Sequence, residues 1–415
     1  MSHRLLQRVA PFVICILGSF FYVYDYFLAT APSVMTHSLL TGFSINAAEL
    51  GSLMAVFFLA STFFQLPAGM LLDRFGARKL LSLAVLISGV GTLLFGLATS
   101  SWELALARLL MGIGSPFAFL GALFLASRWF AHRYFAMIAG LVQLGAALGS
   151  TIGGGPLAML VNHYGWRHSM LWIGWITLVL SALFWLILRD GVRPADEEPQ
   201  GKPSRLRDAL KIKQVWWIAL AGFASWAPVT GIASLWGVPY LMDVYGWTNQ
   251  QIGYLYILFW VGLGVGSPLM GWVSDVLKSR KLPFYLCFGV GFIACILFMM
   301  APQMPKSVMV ILLVVLGFSA SLQSLTFGIA KDIVPPQHFV AVSGLINLAA
   351  VATGVVVQPA MGLLIDWHAR MHHHVGSQYT VSDYQVGFGI VAVVLLFGLI
   401  VSWLGLKETH CEIKY

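Results

Sequence analysis

Long apolar runs, separated by short polar or basic segments, cover the chain from end to end. They fall near 10–31, 50–70, 80–98, 103–126, 135–161, 169–188, 215–240, 251–273, 283–301, 308–330, 339–365 and 386–406. Each approaches or exceeds the roughly 20 residues that a helix needs to cross a bilayer. The runs are continuous rather than alternating, so they predict helices; strands of a lipid-facing barrel would place a polar lumen residue at every second position. The pattern predicts an all-α membrane protein with twelve transmembrane helices. The first run follows a short basic segment, as in a signal peptide, but it continues past Phe27 with no small-residue cleavage site. It therefore reads as the first transmembrane helix.

One segment breaks the pattern. Residues 189–213 (RDGVRPADEEPQGKPSRLRDALKIK) are charged and contain Pro and Gly, as a cytoplasmic linker should be. It divides the chain into an N-terminal six-helix bundle (1–188), the linker (189–213) and a C-terminal six-helix bundle (214–415). The two bundles resemble each other. Gly69, Asp73, Arg78 and Lys79 after the second run recur as Gly271, Asp275, Arg280 and Lys281 after the eighth. Phe135, Gly140 and Gln143 recur as Phe339, Gly344 and Asn347, and Pro156 recurs as Pro359. Two parallel six-helix repeats are the plan of a transporter that binds its solute between them.

Composition agrees with this reading and removes others. Of 415 residues, 59% are hydrophobic and 10% charged, with a mean hydropathy of +0.84. A soluble domain carries about 25% charged residues, so an ordinary soluble enzyme is excluded. A net charge of +8 would suggest nucleic acid in a soluble protein. Here the basic residues cluster on one side of the helices, as the positive-inside rule requires, and no nucleic-acid partner is expected. With both termini cytoplasmic, the outer loops hold only Arg167, Lys306 and Arg370 of the 24 Lys and Arg residues. Cys15, Cys287, Cys295 and Cys411 show no pairing pattern and read as reduced thiols. There is no P-loop, no HExxH and no nucleophile with a paired base, so no enzyme, cofactor or metal centre is expected.

Residues 69–79 (GMLLDRFGARK) match closely the loop motif between the second and third helices of the major facilitator superfamily, through Gly69, Asp73, Arg74, Gly76, Arg78 and Lys79. The copy at Gly271, Asp275 and Arg280 lies where that superfamily places its second one, and the resemblance covers essentially the whole chain. It implies the major facilitator fold, alternating access and a conformational latch at these residues that stabilises the outward-open state. Gly69 would let the end of the second helix pack closely on the eleventh. A second superfamily pattern, an Arg in the fourth helix followed by small residues, is matched by Arg108, Gly112 and Gly114. Helix five carries Gly145, Gly149, Gly153, Gly154, Gly155 and Pro156 but lacks the antiporter order Gly-Pro-x-x-Gly-Gly. Residues 21–35 (FYVYDYFLATAPSVM), with Gln65-Leu66-Pro67, resemble a bacterial branch of nutrient uptake carriers that includes phagosomal transporters and is distantly similar to lysosomal dipeptide carriers. Where relatives often carry a basic residue one turn after the acidic one, this chain has Ala29 and Thr30. The resemblance implies a bacterial inner (cytoplasmic) membrane and a small-molecule substrate as partner. A monomer is expected because each chain already holds both halves, and protons enter as partners through the ionisable residues inside the runs.

Among the acidic residues only Asp25 lies well inside a run, and among the basic ones only Arg108. An ionisable group in hydrocarbon normally faces a polar cavity or a partner, which makes both functional candidates. Asp25 sits late in the outward-running first helix and Arg108 early in the inward-running fourth, so they share a depth in the outer half of one bundle. They are expected to interact directly or through water or substrate, with Asp25 taking and releasing the coupled proton. Tyr22, Tyr24 and Tyr26 cannot all face one cavity; Tyr22 and Tyr26 share a face, and Asp25 lies on the Tyr22 face. In the second bundle Trp226, Thr230 and Ser234 recur every four residues, while Tyr254, Gln323, Asn347 and Gln358 add further polar groups. The substrate-binding set is therefore Tyr22, Tyr26, Arg108, Gln143, Trp226, Thr230, Ser234, Tyr254, Gln323 and Asn347. Neutral groups and aromatic walls suit a small polar or zwitterionic solute. His368, His372, His373 and His374 fall in the outer loop between the last two runs, without the spacing of a metal site.

The expected function is proton-coupled import of a small polar nutrient such as an amino acid, a peptide or a related metabolite. The alternative is a proton-driven exporter of drugs or siderophores.

Overall fold

The computed structural model describes residues 3–130, 132–190, 210–373 and 379–412. It is helical throughout: α1 (His3–Thr30), α2 (Thr36–Phe43), α3 (Ala47–Phe75), α4 (Ala77–Leu97), α5 (Ser101–Trp129), α6 (His132–Gly153), α7 (Gly155–Ile187), α8 (Lys213–Ser225), α9 (Gly237–Tyr245), α10 (Asn249–Val276), α11 (Lys281–Met299), α12 (Lys306–Ser319), α13 (Gln323–Ile333), α14 (Pro336–Met371) and α15 (Val381–Leu404). Among the described residues eleven stretches are long and apolar enough to cross a membrane. One of these, Leu141–Ile187, is 47 residues long and turns at Gly165, whose φ of 78° and ψ of 157° leave the helical region. Positive φ carries little cost for glycine, which is why the chain bends there. Most of the linker expected over 189–213 lies outside the described residues.

The chain divides into two compact units, one formed by Met1–Ala31 and Val56–Pro199 and the other by Pro32–Ala55 and Gln200–Tyr415. In the first, α1 packs on α5 and α6, and α4 packs on α5 and α7. Apolar surface alone does not hold helices together in lipid, so contacts depend on small residues that let backbones approach. Gly112 of α5 meets the carbonyl of Phe57, where a Cβ would have no room. The second unit repeats this contact: Gly317 of α12 meets the carbonyl of Phe259 of α10. Large apolar side chains point outward, with Phe63 74%, Ile176 67% and Trp403 68% exposed. Such surface would promote aggregation in water and is the normal state of a helix facing acyl chains.

The second unit departs from regular helix at two places. Between α8 and α9 the segment Pro228–Trp236 is π-helical, and Ala320–Leu322 forms a 3-10 turn between α12 and α13. Interrupted helices of this kind mark functional positions in membrane bundles. The start of α3 belongs to this unit, where the Ala47 N–H donates to Tyr379 Oη at 2.7 Å and the Tyr379 hydroxyl donates to Asp366 Oδ1 at 2.5 Å. α14 continues six residues beyond the sequence boundary of 365, so His368 is helical rather than part of a loop. Its Nδ1 lies 2.6 Å from Oδ1 of the buried Asp383, whose other oxygen accepts the Thr380 N–H that opens α15. His374 lies outside the described residues, and among those described no group of three ligands fits a metal. All four cysteines are free.

Candidate functional site

In the first unit the two ionisable residues of the apolar runs come to one place. Asp25 on α1 is 7% exposed and Arg108 on α5 is 1% exposed. An electrostatic interaction links them, and the Ser115 hydroxyl faces the Asp25 carboxyl. Arg108 is held in position by its Nη1 donating to the Leu28 carbonyl at 2.9 Å and by its guanidinium, 4.6 Å from the centre of the Phe57 ring. A guanidinium over an aromatic face gains cation–π attraction that strengthens when water is excluded. Ser61 donates to Ser115 at 3.1 Å, which completes a small polar cluster on α1, α3 and α5. Oδ1 of Asp25 has no hydrogen-bond partner among the described residues.

The tyrosines sort as helical geometry requires. Tyr22 and Tyr26 meet edge to face at 5.0 Å, and Tyr22 donates to Gln143 Oε1 of α6 at 2.8 Å. Tyr24 turns away and hydrogen-bonds Thr92 of α4 at 2.5 Å. Asp25, Arg108, Tyr22, Tyr26 and Gln143 thus form one neighbourhood, bordered by Phe119 at 5.1 Å from Tyr22. Nothing in the sequence marks Phe57, Ser61 or Ser115, because an aromatic ring or a serine within an apolar run carries no signal of which neighbour it meets.

The second unit uses its candidates differently. Thr230 donates to the Trp226 carbonyl at 3.1 Å and Ser234 to the Val229 carbonyl at 2.8 Å, so both hydroxyls bond their own helical segment. Gln358 donates to the Thr230 carbonyl at 3.1 Å. Gln323, at the start of α13, is buried, and neither end of its amide has a partner among the described residues. Tyr254 is 40% exposed and Asn347 is half-buried.

At the loops carrying the repeated charged motif, two carboxylates that no sequence pattern marks cap the following helices. Asp190, just after α7, accepts the Arg78 N–H of α4 at 2.8 Å, and Arg78 itself donates to the Trp185 carbonyl at 2.8 Å. Glu408, just after α15, accepts the Arg280 N–H at 2.7 Å, the Lys281 N–H at 3.1 Å and the Ser279 hydroxyl at 2.6 Å. Negative charge at a helix N-terminus is stabilising. Burial pushes the Glu408 carboxyl up, but the hydrogen bonds from Ser279, Arg280, Lys281 and His410 outweigh it and bring it to about 2. Arg280 also pairs with Asp275 and Asp332, each at 2.8 Å. Gly76 and Lys278, matching positions of the two motif copies, both adopt positive φ, 80° and 48°. In the first copy Asp73, Arg74 and Lys79 are exposed, and a Cβ at Gly69 or at Gly271 would meet open space.

The profile of the Major Facilitator Superfamily matches residues 14–248 and 218–411. A hexuronate transporter of Bacillus subtilis is 23% identical over 368 residues, 83% of this chain and 85% of its own. A quinolone resistance transporter of Acinetobacter baumannii is 24% identical over 386 residues, 87% of this chain and 85% of its own. Among solved structures, a bacterial homolog of the human lysosomal transporter Spinster, in an inward-facing and occupied conformation, superposes with a TM-score of 0.81 at 17% identity, covering 96% of this chain and 97% of its own. These proteins are transporters rather than enzymes.

Proposed function

This chain belongs to the major facilitator superfamily, and from that premise we propose that it imports a small polar nutrient bearing a carboxylate, driven by protons. The Asp25–Arg108 neighbourhood carries the reading. A buried carboxylate oxygen without a donor is costly, and a proton on Asp25 lowers that cost by removing the charge. Arg108, fixed by Leu28 and Phe57, presents its positive charge at the same place. Proton arrival at Asp25 and carboxylate arrival at Arg108 then each change the balance the other meets, which is the linkage that cotransport needs. Tyr22, Tyr26 and Gln143 add aromatic and amide groups on the first unit; Trp226, Thr230, Ser234, Tyr254, Gln323 and Asn347 are the binding candidates on the second. Of these, Gln323 has the strongest support, because its amide is buried and unsatisfied.

The proposal includes twelve spans, with Leu141–Ile187 counted as two on either side of Gly165, both termini in the cytoplasm and a monomer in the bacterial inner membrane. Asp73, Arg74, Gly76, Arg78 and Lys79, with Gly69 and the copy at Gly271, Asp275 and Arg280, serve as the latch. The hexuronate transporter among its relatives favours a carboxylate-bearing solute. The quinolone resistance relative favours the second reading, a proton-driven exporter of drugs or siderophores. The helix-five order Gly-Gly-Gly-Pro at 153–156 argues against that reading.

Thermal stability of the purified protein, measured against amino acids, dipeptides, organic acids, nucleosides, drugs and siderophores at two pH values, identifies the solute class, and solute movement into or out of proteoliposomes under an imposed proton gradient gives the direction. Ligands that bind the folded state raise its stability. Import predicts a shift with a carboxylate-bearing solute that is lost in Arg108→Met. A shift with apolar drugs alone supports the exporter.

A further inference from the structure

A cavity of about 680 Å³ opens at one end of the second unit, where α8 begins and α15 ends. Its position at the limits of the spans Lys213–Tyr245 and Val381–Leu404 places it at headgroup depth. Lys213 and Lys407, both exposed, line it together with the apolar Trp217, Ile333 and Leu404. Gln214 also lines it, is 7% exposed, and its Nε2 finds no acceptor among the described residues. α8, 13 residues long, starts here behind Ile212, which has no side chain able to cap its first N–H groups. The one carboxylate in the wall, Glu408, is already engaged by Ser279 and by the N–H groups of Arg280, Lys281, Thr409 and His410.

We propose that this cavity is a phosphate-anion site for the headgroup of an anionic phospholipid. Two ammonium groups, an uncapped helix start and a buried amide donor without an acceptor all ask for the same partner, a multivalent oxyanion. The apolar wall of Trp217, Ile333 and Leu404 fits the glycerol and first acyl methylenes below such a headgroup. Basic pockets between helices at the membrane surface recognise lipid phosphates by this combination. The site is separate from the Asp25–Arg108 neighbourhood, and its test is independent of the transport reading.

The full-length protein in detergent is titrated with dioleoylphosphatidylglycerol or dioleoylphosphatidylcholine and bound lipid is counted by native mass spectrometry. In a parallel arm, inorganic phosphate is added without lipid and melting is followed. Phosphatidylglycerol should bind the wild type well above phosphatidylcholine. The Lys213→Ala/Lys407→Ala variant should lose about 25-fold of that affinity, roughly fivefold for each lysine. Gln214→Leu should lose about tenfold through the missing charge-assisted hydrogen bond. Both lysines are exposed, so the double variant should melt with the wild type, and that melting curve is its folding control. A phosphate-induced shift, lost in the double variant while the two lipids bind alike, supports the anion site with a soluble phosphate as its occupant. Equal binding of the two lipids without a phosphate effect, or phosphatidylglycerol affinity unchanged in a folded double variant, overturns the proposal.

Discussion

Replacing Glu408 by Gln removes one charge from the N-terminus of α11 and substitutes an amide for an oxygen that accepts hydrogen bonds. The displacement of this carboxyl from its ordinary 4.5 to about 2 corresponds to roughly 3 kcal/mol at full effect. Glu408 is only partly buried, so solvent screening reduces the contribution to about 1–2 kcal/mol. For a unit of this size that is about 2–8 °C of melting temperature. Because the folded-state value lies below the unfolded one, the stabilisation is fully present above 4.5 and fades as pH falls toward 2. Thermal unfolding of purified wild type and Glu408→Gln at pH 7 and at successively lower pH tests this directly. The melting gap should be widest near neutrality and should close in acid. A gap of zero at pH 7, or one that widens on acidification, would refute the capping argument.

Other expectations follow from contacts of similar definition. Arg108→Met removes the hydrogen bond to Leu28 and the cation–π contact with Phe57, and should lower stability by about 3 kcal/mol, read as melting temperature; an unchanged value would mean that the guanidinium is not held as described. Gly317→Val drives a branched side chain into the Phe259 carbonyl and should cost about 2–3 kcal/mol, whereas Gly389→Ala, where nothing lies within 4 Å, should be neutral; the two melting curves decide. Tyr379→Phe leaves the Ala47 N–H and Asp366 without their shared partner, and should destabilise by about 1–3 kcal/mol in the same assay.

The apolar runs located the helices because continuous hydrophobicity has few alternatives in a chain of this composition. Asp25 and Arg108 stood out for the same reason: a charge within hydrocarbon is costly enough to be rare. What the sequence did not reveal depends on competition between local partners. Thr230 and Ser234 bond carbonyls of their own segment, an option open to any helical hydroxyl and invisible to a four-residue spacing. Tyr254 is substantially exposed although Tyr256, two residues on, is buried. Nothing in the sequence distinguishes Asp190 and Glu408 from any charge after an apolar run, and their capping roles emerge only when α4 and α11 bring free N–H groups to them. The π-helical segment at Pro228–Trp236 and the extension of α14 to Met371 likewise reflect tertiary packing rather than periodicity.

The proposal that Asp25 carries the coupled proton is tested by the pH change of a weakly buffered solution of purified protein when a stabilising solute is added. Wild type should exchange protons with the solution on binding the solute, by an amount that varies with pH, because linked sites must report each other's occupancy. Asp25→Asn, which keeps the shape of the side chain, should bind the solute and exchange none. Equal proton exchange by wild type and Asp25→Asn would mean that Asp25 is not the coupled site.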